Sequence, residues 1–451
     1  MLKIIDTANM SMEQVLEMLN KPAFDQVELS AGIKAGIKEM FGEELSAEQV
    51  VSRIVKDVRT QGDQAVYAYT KLIDKVDFSQ TGARVSNEEI SAAYKQVDAK
   101  VLAAIRKAIA NVRKFHEEQL PKSWMTTREH GSILGQKNTP LDSVGLYVPG
   151  GTASYPSSVI MNAVPAKVAG VEELVMVAPP AKDGSLNPYV LVTAAETGVN
   201  KIFKLGGAQA IAALAFGTQS IPKVDKITGP GNIFVTLAKK EVYGHCDIDM
   251  LAGPSEILII ADEAANPAYI AADMLGQAEH DPLASSILIT TSMQVAQATV
   301  QELSRQLKLL PRADIACTAL DKQGLILVVD SLDKAAQLSN MSAPEHLEVL
   351  TKAPFELLPY LKHAGAIFLG EYSPEPLGDY FAGPNHVLPT GGTAKFYSVL
   401  NTETFMKKTS IIAYSKKALQ EVNADIITLA EAEGLTAHAN AIRVRFGGLN
   451  P

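Results

Sequence analysis

Over much of the first 120 positions, apolar residues recur at three- and four-residue spacing, as in 47–60 and 87–120. That spacing predicts amphipathic helices. From about Val144 the pattern changes to short continuous apolar runs separated by helix-like stretches. VGLYV (144–148), ELVMVA (173–178), KIFKL (201–205) and VDKIT (224–228) read as strands, with helical patterns near 186–197, 208–216 and 231–243. The rhythm repeats in EILIIAD (256–262), SSILITT (285–291), LILVVD (325–330) and AIFLG (366–370), with helical patterns near 267–280, 293–308 and 331–340. Continuous apolar runs are the mark of strands covered on both faces. Strand and helix in alternation predict an α/β fold with largely parallel sheets, in two blocks near 145–254 and 255–400. Residues 401–451 read as a helical tail with charged faces.

Composition narrows the function classes. A chain of 451 residues is longer than one core usually serves, so two or more domains are expected. A net charge of -9 argues against a nucleic-acid binder, which needs a basic surface. The lysine pairs Lys407–Lys408 and Lys416–Lys417 read as solvated faces. Only Cys246 and Cys317 occur, without CxxC spacing, which excludes a disulfide framework and a cysteine-type zinc site. The N-terminal MLKIIDTANMSMEQ lacks the apolar core of a signal peptide, and no apolar run approaches the ~20 residues of a membrane span. A cytoplasmic compartment is expected, with no membrane partner.

Candidate chemistry lies in loops. VPGG (148–151), LGGAQ (205–209) and TGPGN (228–232) follow predicted strands and let backbone approach a phosphate. None completes GxGxxG, since Phe234 stands where the third glycine of the last loop would fall. Taken alone they read as tight strand-to-helix turns. Four further segments carry four of the eight histidines beside other polar residues. These are GQAEHDP (Gln277, His280), SAPEHLEV (Glu345, His346), PLGDYFAGPNHVLPTGG (Asp379, His386) and EAEGLTAHANAIRVRF (Glu433, His438). Imidazole and carboxylate donors suit Zn²⁺, but spacing alone identifies no metal site, because there is no HExxH. Each histidine taken singly reads as an ordinary polar residue.

Taken together, these segments resemble the histidinol dehydrogenase family. The matching stretches are GLYVPGGTASYPSSVIMNAVPAKVAGV (145–171), LGGAQAIAALAFGT (205–218), KITGPGN (226–232), DMLAGPSE (249–256), GQAEHDP (276–282), APEHLE (343–348), GPNHVLPTGGTAKF (383–396) and GLTAHA (434–439). The resemblance implies a zinc- and NAD-dependent oxidoreductase that converts L-histidinol to L-histidine through the aldehyde with two NAD, the last step of histidine biosynthesis. It implies one zinc per subunit on Gln277, His280, Asp379 and His438, and an acid–base pair of Glu345 and His346. Substrate contacts fall on Ser255, His386 and Glu433 besides the metal ligands and His346, and NAD contacts on Tyr147, Gln209 and Asn232. It also implies a homodimer in which the tail residues Glu433 and His438 complete the neighbour's site. His245 and Cys246 match no functional position and read as structural.

With that resemblance, the expected layout is two Rossmann-like domains. Residues 1–45 form an N-terminal helical extension, 46–146 with 255–400 the main α/β domain with the zinc and acid–base residues, 147–254 a second α/β domain with NAD contacts, and 401–451 the tail. The second domain reads as a possible insertion into the first. The expected chemistry has His346 taking the alcohol proton and Glu345 activating the water that hydrates the aldehyde. Zinc positions the substrate's amine and imidazole. Three alternatives stay open: a dehydrogenase of the same family acting on another amino alcohol or hydroxy acid, a zinc hydrolase with an adjacent glutamate, and a non-catalytic binding protein.

Overall fold

The computed structural model describes residues 2–19, 29–150 and 155–448. The chain divides into two compact units: Met1–Gln119 with Leu141–Phe405, and Leu120–Pro140 with Met406–Pro451.

Two parallel sheets form the first unit. One has five strands in the order Lys201–Lys204, Glu173–Ala178, Ser143–Tyr147, Lys226–Thr228, Asp247–Ile248. The other has six, in the order Ile4–Asp6, Gly324–Val328, Ser285–Thr290, Glu256–Ala261, His346–Leu350, Ala366–Leu369. Leaving out Ile4–Asp6, both sheets run third, second, first, fourth, fifth in chain order. That arrangement reverses direction beside the first strand and opens a crevice there. The apolar runs behave as expected of covered strands: every residue of Glu256–Ala261 and Ser285–Thr290 is buried. Side chains alternate between faces, with Ile257, Ile259 and Ala261 packing in one apolar cluster and Leu258 and Ile260 in another.

Helices depart from the sequence reading in three places. The segment 87–120 is two helices, Asn87–Tyr94 and Ala99–Glu117, because the Asp98 carboxylate caps the second by accepting Lys100 N–H at 2.7 Å. Pro156–Ala169 is helical although no amphipathic stripe predicts it, since ten of its residues are buried and the helix is apolar nearly all round. Ala313–Gln323 is a further helix that the pattern did not announce.

The domain expectation also differs. Val50, Val51, Ile54, Val55 and Val58 share a core with Val175, Val177 and Ile227. The helices Ala47–Gln61 and Asp63–Ile73 therefore cover the five-stranded sheet, not the six-stranded one. The N-terminal extension is not wholly helical either, as Ile4–Asp6 pairs with Ile326–Val328 at the sheet edge.

The second unit is a three-stranded antiparallel sheet in the order Met406–Ala413, Ile133–Pro140, Trp124–Thr127, with helices Lys416–Ala432 and Thr436–Arg443. The tail is thus part strand, not purely helical. Within the described residues no helix is long and apolar enough to cross a membrane.

Candidate active site

The expected acid–base residues, Glu345 and His346, stand at the amino edge of the six-stranded sheet. The helix Leu332–Ser342 ends on Ala343, which takes a left-handed φ of 48° although it is not glycine. Such strain is held only where the surroundings fix it, and Ala343 is fully buried. Pro344 follows and the chain then enters its strand, so Glu345 lies just before the sheet and His346 is its first residue.

One residue of the neighbouring strand fixes both. Glu256 N–H donates to Glu345 Oε2 at 2.8 Å, and Glu256 C=O lies 3.0 Å from His346 Nδ1. A carbonyl can only accept, so Nδ1 carries a proton, and in the neutral imidazole it is Nε2 that presents the lone pair. Nε2 is buried without a hydrogen-bond partner and lies 3.6 Å from Asp379 Oδ1, too far for a hydrogen bond.

Around Nε2 the structure collects more carboxylates than the sequence reading named. His346, Glu375 and Asp379 offer ligand atoms within 4.8 Å of one another. The fully buried Gln277 brings one end of its side-chain amide to 3.3 Å from both Glu375 oxygens and 3.2 Å from His346 Nδ1, and that end donates to Glu375 when it is the nitrogen. Glu375 Nα–H donates to Glu348 Oε1 at 2.8 Å, and Glu348 interacts in turn with Asp273. Spacing carried a signal for these missed residues: Glu375 and Asp379 are four apart on the helix Glu375–Tyr380, as are Asp273 and Gln277 on Pro267–Ala278. Glu348 shares a strand face with His346, two residues away.

Crowding sets the protonation states. Burial pushes Glu345 up to about 8, Glu375 to about 7 and Asp273 to about 6, and holds Glu348 well above the carboxylate range. For His346 burial works downward, but Glu345, Glu375 and Asp379 outweigh it and raise the imidazole to about 10. Burial opposes ionisation of Asp379 too, yet the adjacent histidines, His346 foremost, hold it below its usual value.

The remaining expected residues are placed as follows. His280 and His386 lie in the electrostatic field of Asp379 and His346, both lowered by burial, and His386 Nδ1 is 3.1 Å from Asp379 C=O. Ser255 immediately precedes Glu256. Glu433 and His438 belong to the second unit, where both are exposed on either side of the turn at Gly434.

Tyr147, Gln209 and Asn232 all lie at or just beyond the carboxyl ends of strands of the five-stranded sheet. Tyr147 ends its strand, and its hydroxyl accepts Gly207 N–H at 3.1 Å. Gln209 is fully buried with Oε1 unpartnered. Asn232 caps the helix Ile233–Val242 by accepting Phe234 and Val235 N–H. Gly229 has φ +111°, and a Cβ there would stand 2.1 Å from Tyr147 C=O, so only glycine lets these two strand ends meet. Its N–H donates to Asp249 at 2.8 Å and its C=O accepts Lys239 Nζ at 3.1 Å, while Lys239 and Asp249 form a buried ion pair.

The family model described as histidinol dehydrogenase matches residues 39–446. The histidinol dehydrogenase of Heliobacterium mobile is 59% identical over 395 residues, covering 88% of this chain and 92% of that protein. That of Bacillus subtilis (strain 168) is 53% identical over 421 residues, covering 93% and 96%. The crystal structure of histidinol dehydrogenase from Elizabethkingia anophelis superposes with a TM-score of 0.90 at 36% identity, covering 99% of this chain and 98% of that one.

Proposed function

The chain belongs to the histidinol dehydrogenase family, and from that premise we propose that it oxidises L-histidinol to L-histidine through the aldehyde, reducing two NAD. The observation that carries this reading is the double hold of Glu256 on Glu345 and His346.

The residues fit both groups that the family uses. Carboxylates pushed toward their protonated form by burial are what a divalent cation relieves, and the donors are the nitrogen and oxygen types that zinc accepts. We assign zinc to Gln277, His280 and Asp379 with a tail His438, and Glu375 stands as a further donor at the same place. The orphaned Gln209 Oε1 and the glycine-only approach at Gly229 suit a bound dinucleotide. When bound, zinc supplies anchorage for the substrate's amine and imidazole, and NAD accepts hydride.

This chain's own residues handle the protons. Glu256 C=O fixes the proton on His346 Nδ1, which leaves Nε2 to take the hydroxyl proton. Two of the carboxylates that hold His346 protonated in the cation-free protein, Glu375 and Asp379, are also cation donors, and once so engaged they relax their hold on the imidazole. Glu345, with one oxygen held by Glu256 N–H, has the other for the water that adds to the aldehyde, and His346 handles the proton of the second oxidation. His386 and Ser255 line the substrate's place, with Glu433 from the tail. We place Glu433 and His438 in the site of a partner subunit in a cytoplasmic homodimer, a reading supported by the family resemblance and by their exposure in the second unit.

The test is NADH formed per histidinol consumed. Two per substrate, abolished by a chelator and restored by Zn²⁺, is the expected result. One or none contradicts the proposal.

A further inference from the structure

In sheets of this strand order, an acid at the end of the second strand usually receives the ribose hydroxyls of a bound dinucleotide. Here the second strand, Glu173–Ala178, runs into Pro179–Pro180. Pro179 packs so closely on Gly150 and Gly206 that a Cβ at either would stand 2.6 or 2.5 Å from its ring. The next acid along the chain, Asp183, is exposed and bonded to Ser185 at 2.7 Å. The customary carboxylate is therefore missing from that strand end.

A different element brings one to the same crevice. Asp74 caps the helix Asp63–Ile73, which packs on the helix carrying Gln209. Asp74 Oδ2 accepts Gln209 Nε2 at 3.4 Å, and its charge reaches the buried Tyr147 hydroxyl. Gln209 is fully buried, yet its Oε1 has no partner. The residue after Asp74, Lys75, holds a left-handed φ of 62°, a conformation costly for a side chain with a Cβ. Burial pushes the Asp74 carboxyl up to about 6, so its ionised form gains from hydrogen-bond donors brought by a ligand.

Resting on the NAD reading above, we infer that Asp74, with Gln209 Oε1, accepts the hydroxyls of the adenosine ribose and makes the site select NAD over its 2′-phosphorylated counterpart. A carboxylate accepts the 2′-hydroxyl and repels a 2′-phosphate, which is acceptor-only and dianionic.

The experiment is equilibrium binding of NAD, NADP and the 2′-deoxyadenosine analogue of NAD to the intact protein, read by fluorescence without turnover. The parent is expected to bind NAD at least tenfold more tightly than either of the others. In Asp74→Asn, NAD weakens about tenfold and the preference over NADP falls by at least as much. A parent that binds the deoxy analogue as well as NAD overturns the inference whether or not the variant folds. So does an Asp74→Asn protein with both affinities unchanged. Gln209→Ala separates the two levels of the argument. Weakened NAD binding there with a silent Asp74→Asn removes only the role of Asp74. Unchanged binding in both removes the cofactor reading itself.

Discussion

In the five-stranded sheet the candidate loops follow the last residues of the strands; in the six-stranded sheet the candidate side chains stand at the first. Both sheets have the same strand order around their first strand, so the difference lies in what the sequence puts at each edge. At the carboxyl edge of the smaller sheet are Tyr147, then Gly206–Gly207 and Gly229, where backbone must come close and side chains must be small. At the amino edge of the larger sheet are Glu256, Glu345 and His346, where charge is packed into a dry place. The segment 249–256 joins the two. Asp249 holds Gly229, Ala252 C=O accepts the Thr236 hydroxyl, Gly253 N–H donates to Thr390, and Glu256 holds Glu345 and His346. A short stretch of chain thus sets the spacing between the edge that suits the cofactor and the edge that suits proton transfer. One edge is built for close approach, the other for tuned basicity.

Substitutions that damage one edge alone put that division to the test. His346→Asn should lower kcat by about 10²–10⁴-fold, the usual range for loss of an acid–base group, with the NAD dissociation constant unchanged. A matching loss of NAD affinity would mean that the edges are not separable. Next in size, Glu375→Gln should weaken zinc binding by about 10–100-fold, measured by calorimetric titration of the metal-free protein. Parent-like affinity would remove Glu375 from the metal's surroundings. In the metal-free parent, Glu375 holds its proton to about 7. A cation that engages Glu375 must displace that proton, so affinity should rise from pH 6 to pH 8 with a proton released on binding. A flat profile would contradict the crowded-carboxylate account. Gly229→Ala should show the opposite split from His346→Asn. It should weaken NAD about tenfold and cost about 1–3 kcal/mol of stability for the forced backbone, while leaving zinc affinity alone. Unaltered NAD binding with a parent-like melting temperature would show that the close approach is dispensable.

The parallel sheets were legible because covered strands write themselves as unbroken apolar runs. EILIIAD and SSILITT needed no long-range knowledge to be read as strands. Ile4–Asp6 was not legible: three residues carry no period, and their partner strand is more than 300 positions away. The antiparallel sheet was missed for another reason. Met406–Ala413 is mostly exposed, so it has no buried face to impose alternation. Helix 47–61 showed its apolar stripe plainly, but a stripe does not say which sheet it covers. At the site, the histidine-bearing segments stood out through the family resemblance. Glu375, Glu348 and Asp273 stayed hidden because an acidic residue at helix or strand spacing ordinarily faces water, and only burial reveals that these do not.

The central claim is that Glu345, held by Glu256, serves the water that hydrates the aldehyde while His346 serves both oxidations. The direct measurement is the rate of NADH formation by Glu345→Gln from the aldehyde and from histidinol, each with saturating NAD and zinc. The account predicts that oxidation of the aldehyde falls by about 10²–10⁴-fold, while the first hydride transfer from histidinol stays within a few-fold of the parent. Aldehyde oxidation at the parent rate would contradict it.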